Sequence, residues 1–137
     1  MAAVSELIKK ESDGTISFGN HTLDAKAKVE DFDVAGNLYK VKTFSELTKL
    51  ERDGAFVYES EPGTSVSNFC ENEDGVSFSV CGNDDAMITV GLKEDSEYDV
   101  CVADKNIGTI KTNLSGKLSV SVELADLGEV SVKITAK

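Results

Sequence analysis

Polar and apolar residues alternate along most of the chain in short runs rich in Val, Ile, Thr and Phe, separated by clusters of Gly, Asn and Asp. A period of two marks half-buried β-strands, and the clusters between them mark turns. From Thr64 onward the spacing is regular. It predicts seven strands, at Val66–Cys70, Val76–Val80, Ala86–Leu92, Glu97–Ala103, Ile107–Thr112, Lys117–Leu124 and Glu129–Thr135. Seven short strands within residues 64–137 are what a small two-sheet sandwich requires. Its inward face reads Val76, Phe78 and Val80; Ile88 and Val90; Tyr98, Val100 and Val102; Leu118, Val120, Val122 and Leu124; Val130, Val132 and Ile134. Their alternate neighbours are mostly Ser, Asp, Glu, Lys and Thr, which suits a face in water.

The first 63 residues carry an internal repeat at an offset of 40. Ser5-Glu-Leu-Ile-Lys-Lys-Glu-Ser-Asp-Gly-Thr-Ile-Ser-Phe18 lies over Ser45-Glu-Leu-Thr-Lys-Leu-Glu-Arg-Asp-Gly-Ala-Phe-Val-Tyr58, with seven of 14 positions identical. Each copy reads as a hairpin about an Asp-Gly pair, Asp13-Gly14 and Asp53-Gly54, which a type I′ turn favours. That register puts Leu7, Lys9, Glu11, Ile16 and Phe18 on one face. Their counterparts are Leu47, Lys49, Glu51, Phe56 and Tyr58, with Lys9 across from Phe18 and Lys49 across from Tyr58. Two readings follow. The hairpins pack around a local pseudo-two-fold, or they present equivalent edges to neighbouring subunits, since open strand edges are templates for pairing. Between the copies, Gly19-Asn20 and Gly36-Asn37 predict further hairpin turns joining strands near Thr15–Phe18, Thr22–Leu23, Val29–Val34 and Leu38–Phe44. Pro62, the only proline, reads as a hinge between a hairpin unit at 1–63 and the sandwich at 64–137.

The run Leu92-Lys-Glu-Asp-Ser96-Glu-Tyr98-Asp-Val100-Cys-Val102 resembles the tyrosine-corner pattern of fibronectin type III and related immunoglobulin-like sandwiches. In those domains a tyrosine opening a strand turns its hydroxyl back onto the preceding corner and satisfies a backbone group there. The resemblance implies an Ig-like sandwich for the C-terminal half. Three candidate strands follow the tyrosine strand here, against one in fibronectin domains, so it implies the corner and not the fibronectin topology.

Charge narrows the partners. Fourteen basic against 25 acidic residues give a net charge of −11, which argues against nucleic acid, because phosphate binding runs on clustered Lys and Arg. No apolar run approaches the ~18 residues of a membrane span, and the N-terminal stretch lacks a signal-peptide core. No membrane partner is therefore expected. Cys70, Cys81 and Cys101 are odd in number and lack metal-ligand spacing, so free thiols in a reducing, cytoplasmic setting are the default and a Cys70–Cys81 bridge the alternative.

Catalytic constellations are sparse. His21 is the only histidine and follows a turn, where an exposed strand residue is expected rather than a base. One His and three scattered Cys do not make a zinc site. Asn72-Glu-Asp74-Gly75 resembles the middle of an EF-hand loop, but Cys70 and Cys81 stand where ligands are needed. There is no phosphate-binding glycine loop, and no cofactor is implied. Glycan binding usually wants an exposed aromatic platform; the chain has no Trp, which leaves Tyr39 and Tyr58.

The start VSELIKKESDGTISFG, the middle YKVKTFSELTKLERDGAFVYESEPGT and the end IKTNLSGKLSVSVEL resemble a family of small proteins from Clostridia and other Firmicutes that often carries the label "endosialidase". The resemblance implies a bacterial, intracellular protein. Sialidase-type sites hold the substrate carboxylate with several arginines, and Arg52 is the only arginine, so the activity is not carried over. The expectation is a non-enzymatic all-β protein: a repeated-hairpin unit followed by a seven-stranded Ig-like sandwich. Its expected role is structural self-association into a homo-oligomer or filament through the hairpins (Leu7, Lys9, Phe18, Leu47, Lys49, Phe56, Tyr58). The alternative is a glycan- or peptide-binding module using Tyr39 or Tyr58.

Overall fold

The structure, a computed structural model, describes residues 6–137; Ser5, which opens the first repeat copy, lies outside the described residues. Among those residues the chain forms only strands: β1 (Ile8–Lys10), β2 (Ile16–Phe18), β3 (Ala27–Val34), β4 (Asn37–Phe44), β5 (Leu47–Arg52), β6 (Ala55–Glu61), β7 (Ser65–Asn72), β8 (Gly75–Cys81), β9 (Ala86–Gly91), β10 (Glu97–Val102), β11 (Lys105–Lys111), β12 (Lys117–Val122) and β13 (Val130–Ala136). They build two antiparallel sheets, one ordered β1-β2-β7-β8-β13-β10-β11 and the other β12-β9-β6-β5-β4-β3. The seven strands expected after Thr64 are β7 to β13, each within two residues of its expected ends. Every expected inward side chain among them is buried except Val102, which is half-buried.

Strand order departs from the immunoglobulin arrangement, in which the last of seven strands lies at a sheet edge. Here β13 lies between β8 and β10, and β9 lies between β6 and β12. The cause is that β8 and β13 pair in one sheet while their chain neighbours β9 and β12 pair in the other. The two strands pass over the side of the sandwich together. The tyrosine corner is nevertheless present: the buried Tyr98 hydroxyl accepts the Lys93 backbone N–H at 3.1 Å.

Strands from both sides of Pro62 share both sheets, since β2 pairs with β7 and β6 with β9. A single apolar core runs from Ile8 to Ile134. At its centre Phe18, Tyr58, Phe69 and Phe78 meet mostly edge to face, with centroids 5.2 Å apart for Phe18–Tyr58 and 5.6 Å for Tyr58–Phe78. Such pairs add ~0.5–1.5 kcal/mol each beyond the area they bury.

The two Asp-Gly hairpins form, but their registers differ from the expected one. In the first, Glu11 N–H donates to Thr15 C=O at 2.8 Å and Gly14 takes a left-handed φ of 88°, so the loop holds three residues instead of two. Ile8 then faces Phe18, and Lys9 faces Ser17. In the second, Asp53 and Gly54 (φ 52° and 82°) make the two-residue turn, but a bulge opposite Leu50 and Glu51 absorbs Val57. Leu50 therefore faces Tyr58, and Lys49 faces Glu59. A one-residue slip exchanges faces, which is why Tyr58 is buried while Lys49 and Phe56 are only partly covered.

Thr22–Leu23 is not a strand, and Gly19-Asn20 is not a hairpin turn; these residues carry the chain from the first sheet to the second. The later turn is Ala35-Gly36, with Val34 paired to Asn37. Nor is Pro62 a hinge. Gly63 N–H donates to Ser45 C=O at 3.0 Å, and a Cβ on Gly63 would sit 1.9 Å from the Phe44 carbonyl oxygen. Thr64, fully buried, anchors a hydroxyl network. Its Oγ1 lies 2.7 Å from the Tyr58 hydroxyl and 2.8 Å from Ser60 Oγ. Its backbone N–H and C=O both bond Thr48 Oγ1, at 3.0 and 2.7 Å. Thr43 Oγ1 continues the chain, 2.8 Å from Thr48 Oγ1 and accepting the Asn20 N–H at 2.9 Å.

Candidate functional site

A sandwich exposes backbone only along its outermost strands, and here these are β1 and β11 in one sheet and β3 and β12 in the other. Proteins protect such edges with short strands, charges or bulges. Strand β1 is three residues long and carries Lys9 and Lys10. Strand β3 is bulged between Val29 and Phe32, holds Asp31 at φ 57°, and carries Lys28, Glu30, Asp31 and Asp33. The β10–β11 register breaks between Val100 and Cys101, and β11 has Lys105 and Lys111 at its ends.

Strand β12, Lys117-Leu-Ser-Val-Ser-Val122, has none of these devices beyond Lys117. It pairs with β9 over all six residues without a shift. Leu92 N–H donates to Gly116 C=O at 2.7 Å, which sets the phase of the ladder: Leu118, Val120 and Val122 address β9, while Lys117, Ser119 and Ser121 turn their N–H and C=O outward. At Lys117 the outward groups are already used, the N–H by Asn113 Oδ1 at 3.0 Å and the C=O by Asn113 N–H at 3.1 Å. Ser119 and Ser121 leave theirs on the open side.

The side chains fit this picture. Leu118, Val120 and Val122 fill the core. Ser119 Oγ lies 2.7 Å from Thr89 Oγ1 on the outer face, and the Lys117 ammonium sits 4.7 Å from the Phe56 ring centre. Beneath the outer backbone of β12 lies a cleft of about 360 Å³, lined by Val102, Lys105, Ile107, Ser121, Glu123 and Leu127. Ile107 and Leu127 are 50% and 57% exposed there, far above the core residues.

The expected self-association residues are dispersed. Phe18 and Tyr58 are wholly buried against each other and present nothing to a second molecule. Lys9 is exposed on β1, and Leu7 precedes it, half-buried. Leu47, Lys49 and Phe56 lie on the outer face of β5 and β6, partly covered, with Lys49 3.9 Å from Glu51. Tyr39, 7% exposed, lines a second cleft of about 340 Å³ with Arg52, Phe69 and Glu71. Arg52 is ion-paired with Glu71 there and faces Tyr39 across the β4–β5 ladder.

His21 is half-buried, and its Nδ1 lies 2.7 Å from Ser65 Oγ, which also accepts the His21 N–H at 3.2 Å. Burial holds its pKa below the usual histidine range. Ser65 is itself buried, so the pair ties the sheet crossing to β7 and does not expose a nucleophile. No disulfide joins Cys70, Cys81 and Cys101, and burial pushes the Cys81 thiol pKa up. Among the described residues no three His, Cys, Asp or Glu side chains are grouped to hold a metal ion. In the acidic 72–75 turn, Asn72 Oδ1 accepts the N–H groups of Asp74 and Gly75 at 2.8 and 3.1 Å.

Sequence reasoning missed Ser119, Ser121 and Glu123. A strand with one charge and no proline was the available signal, but edge position depends on sheet order.

Among the described residues, fold and site define an all-β, two-sheet sandwich with one unprotected strand edge. No protein-family model matches the chain, and no curated protein or solved structure matches it either.

Proposed function

We propose that this protein is a non-enzymatic structural module that self-associates edge to edge, with β12 as the joining strand. The observation that carries the reading is the contrast among the four edges: three are short, charged or bulged, and β12 is regular and open. Leaving hydrogen-bonding backbone on a flat edge invites strand addition. The net charge of −11 keeps the rest of the surface from sticking. The sole arginine is committed to Glu71, which argues against a carboxylate-binding catalytic site. Three cysteines without a disulfide suit a reducing compartment such as the cytoplasm. The glycan- or peptide-binding alternative is weaker, because Tyr39 is nearly buried and lies against Arg52 instead of forming a platform.

Light scattering on a size-exclusion column, over a hundredfold range of concentration, tests this. The expected species exceeds 14.6 kDa at micromolar protein. Ser119→Pro removes one outward N–H and an exposed hydroxyl contact with Thr89, a substitution edge strands tolerate, so it is expected to yield a folded monomer. A wild-type monomer throughout, or an oligomer indifferent to Ser119→Pro, overturns the proposal.

A further inference from the structure

The edge reading leaves the occupant and register open, and the sequence of β12 addresses both. We infer that β12 pairs with β12 of a second copy, antiparallel, about a two-fold axis at Val120. This rests on the edge reading above.

Hydrogen-bond phase limits the choices. Only Ser119, Ser121 and the residues two further along address the open side, so an antiparallel partner must set odd-numbered residues opposite odd-numbered ones. Three central registers satisfy this: Ser119 opposite Ser119, Ser121 opposite Ser121, or Ser119 opposite Ser121. In the first, Lys117 meets Ser121 of the other copy; in the second, Glu123 meets Ser119. Only the third sets Lys117 opposite Glu123, and symmetry makes that pair twice. In the same register Ser119 and Ser121 exchange both backbone hydrogen bonds, again twice. The ladder stops there, because Asn113 takes the outward groups of Lys117 and β12 ends at Val122, so Lys117 and Glu123 meet through their side chains alone.

The strand is thus self-complementary, as an isologous interface requires. Joining at β12 also brings the two open flanks together, so the exposed Ile107 and Leu127 of each copy lie beside the seam and lose water contact. Because the other three edges are protected, the assembly closes as a dimer and does not extend into a filament; growth would need a second open surface.

Charge reversal tests the register. Lys117→Glu sets two like-charged carboxylate pairs across the seam, and Glu123→Lys sets two ammonium pairs. Each single variant is expected to weaken dimerisation about tenfold or more, measured by sedimentation equilibrium. The double variant, which restores opposite charges with their positions exchanged, is expected to return to within about threefold of wild type. Thermal melts followed by circular dichroism confirm that each variant is folded. Dimers broken by Ser119→Pro but unmoved by the single reversals, or not rescued in the double variant, overturn this register while leaving edge association intact. A wild-type monomer at every concentration overturns both.

Discussion

The hydroxyl network at the β6-to-β7 crossing is the sharpest test of what holds the two sheets in register. Thr48 Oγ1 accepts the Thr64 N–H at 3.0 Å, donates to Thr64 C=O at 2.7 Å and meets Thr43 Oγ1 at 2.8 Å, all in residues with no solvent exposure. Thr48→Val keeps the side-chain shape and removes all three bonds. The Thr64 N–H and C=O are then buried without a partner, and the Thr43 hydroxyl proton loses its acceptor while its oxygen keeps the Asn20 N–H. A buried polar group stranded in this way costs about 1–3 kcal/mol. Three at the low end put the loss near ~3 kcal/mol. At roughly 3–5 °C per kcal/mol for a chain of this size, the melting temperature falls by about 10–15 °C. The control is Thr89→Val, which removes an exposed hydroxyl 2.7 Å from Ser119 Oγ and is expected to cost under ~0.5 kcal/mol. Urea unfolding followed by circular dichroism measures both variants, and an unchanged slope against urea shows that stability alone has moved. A Thr48→Val protein within 1 kcal/mol of wild type would refute the reasoning, and the crossing would then be held by its apolar neighbours.

Two smaller perturbations probe other joints. Tyr98→Phe leaves the Lys93 N–H without its acceptor but still near solvent, so the expected loss is about 1 kcal/mol in the same urea assay; no loss would show that the corner works through the ring alone. His21 is held below its ordinary pKa by burial, so the unfolded chain takes up its proton first as pH falls. Its contribution is therefore complete above about pH 6.5 and is lost as pH falls through the lower folded-state pKa. The difference in melting temperature between wild type and His21→Gln should shrink or change sign from pH 7.5 to pH 5, and a difference independent of pH would contradict that assignment.

Much of the C-terminal half was legible because its strands obey one simple rule. Leu118, Val120 and Val122 alternate with Lys117, Ser119 and Ser121, and burial follows that alternation without exception. Tyr98 was legible for a different reason, since a tyrosine opening a strand after a leucine corner has a local task that does not depend on sheet order. The hairpin registers were less accessible. Asp13-Gly14 and Asp53-Gly54 are the same dipeptide, yet one closes a three-residue loop and the other a two-residue turn followed by a bulge. What separates them is tertiary: Tyr58 must reach Phe18, and absorbing Val57 allows it. Sheet order was beyond local reasoning altogether. Neither the position of β13 between β8 and β10 nor the openness of β12 is written in the residues of those strands.

The repeat bears on assembly in an unexpected direction. Its two copies sit in opposite sheets, and the equivalent aromatic residues Phe18 and Tyr58 pack against each other at the centre of the core. The self-complementarity created by the duplication is therefore consumed inside one chain, where each hairpin covers the other's apolar face. A repeated element used in this way keeps its equivalent aromatic residues inside the core, away from a neighbour. On the edge-to-edge association proposed above, the joining surface comes from an unrepeated part of the chain and is complementary to itself. Strand β12 meets that condition through the order of its own charges, Lys117 before its start-facing serines and Glu123 after its end, which become partners only when a second copy runs the opposite way.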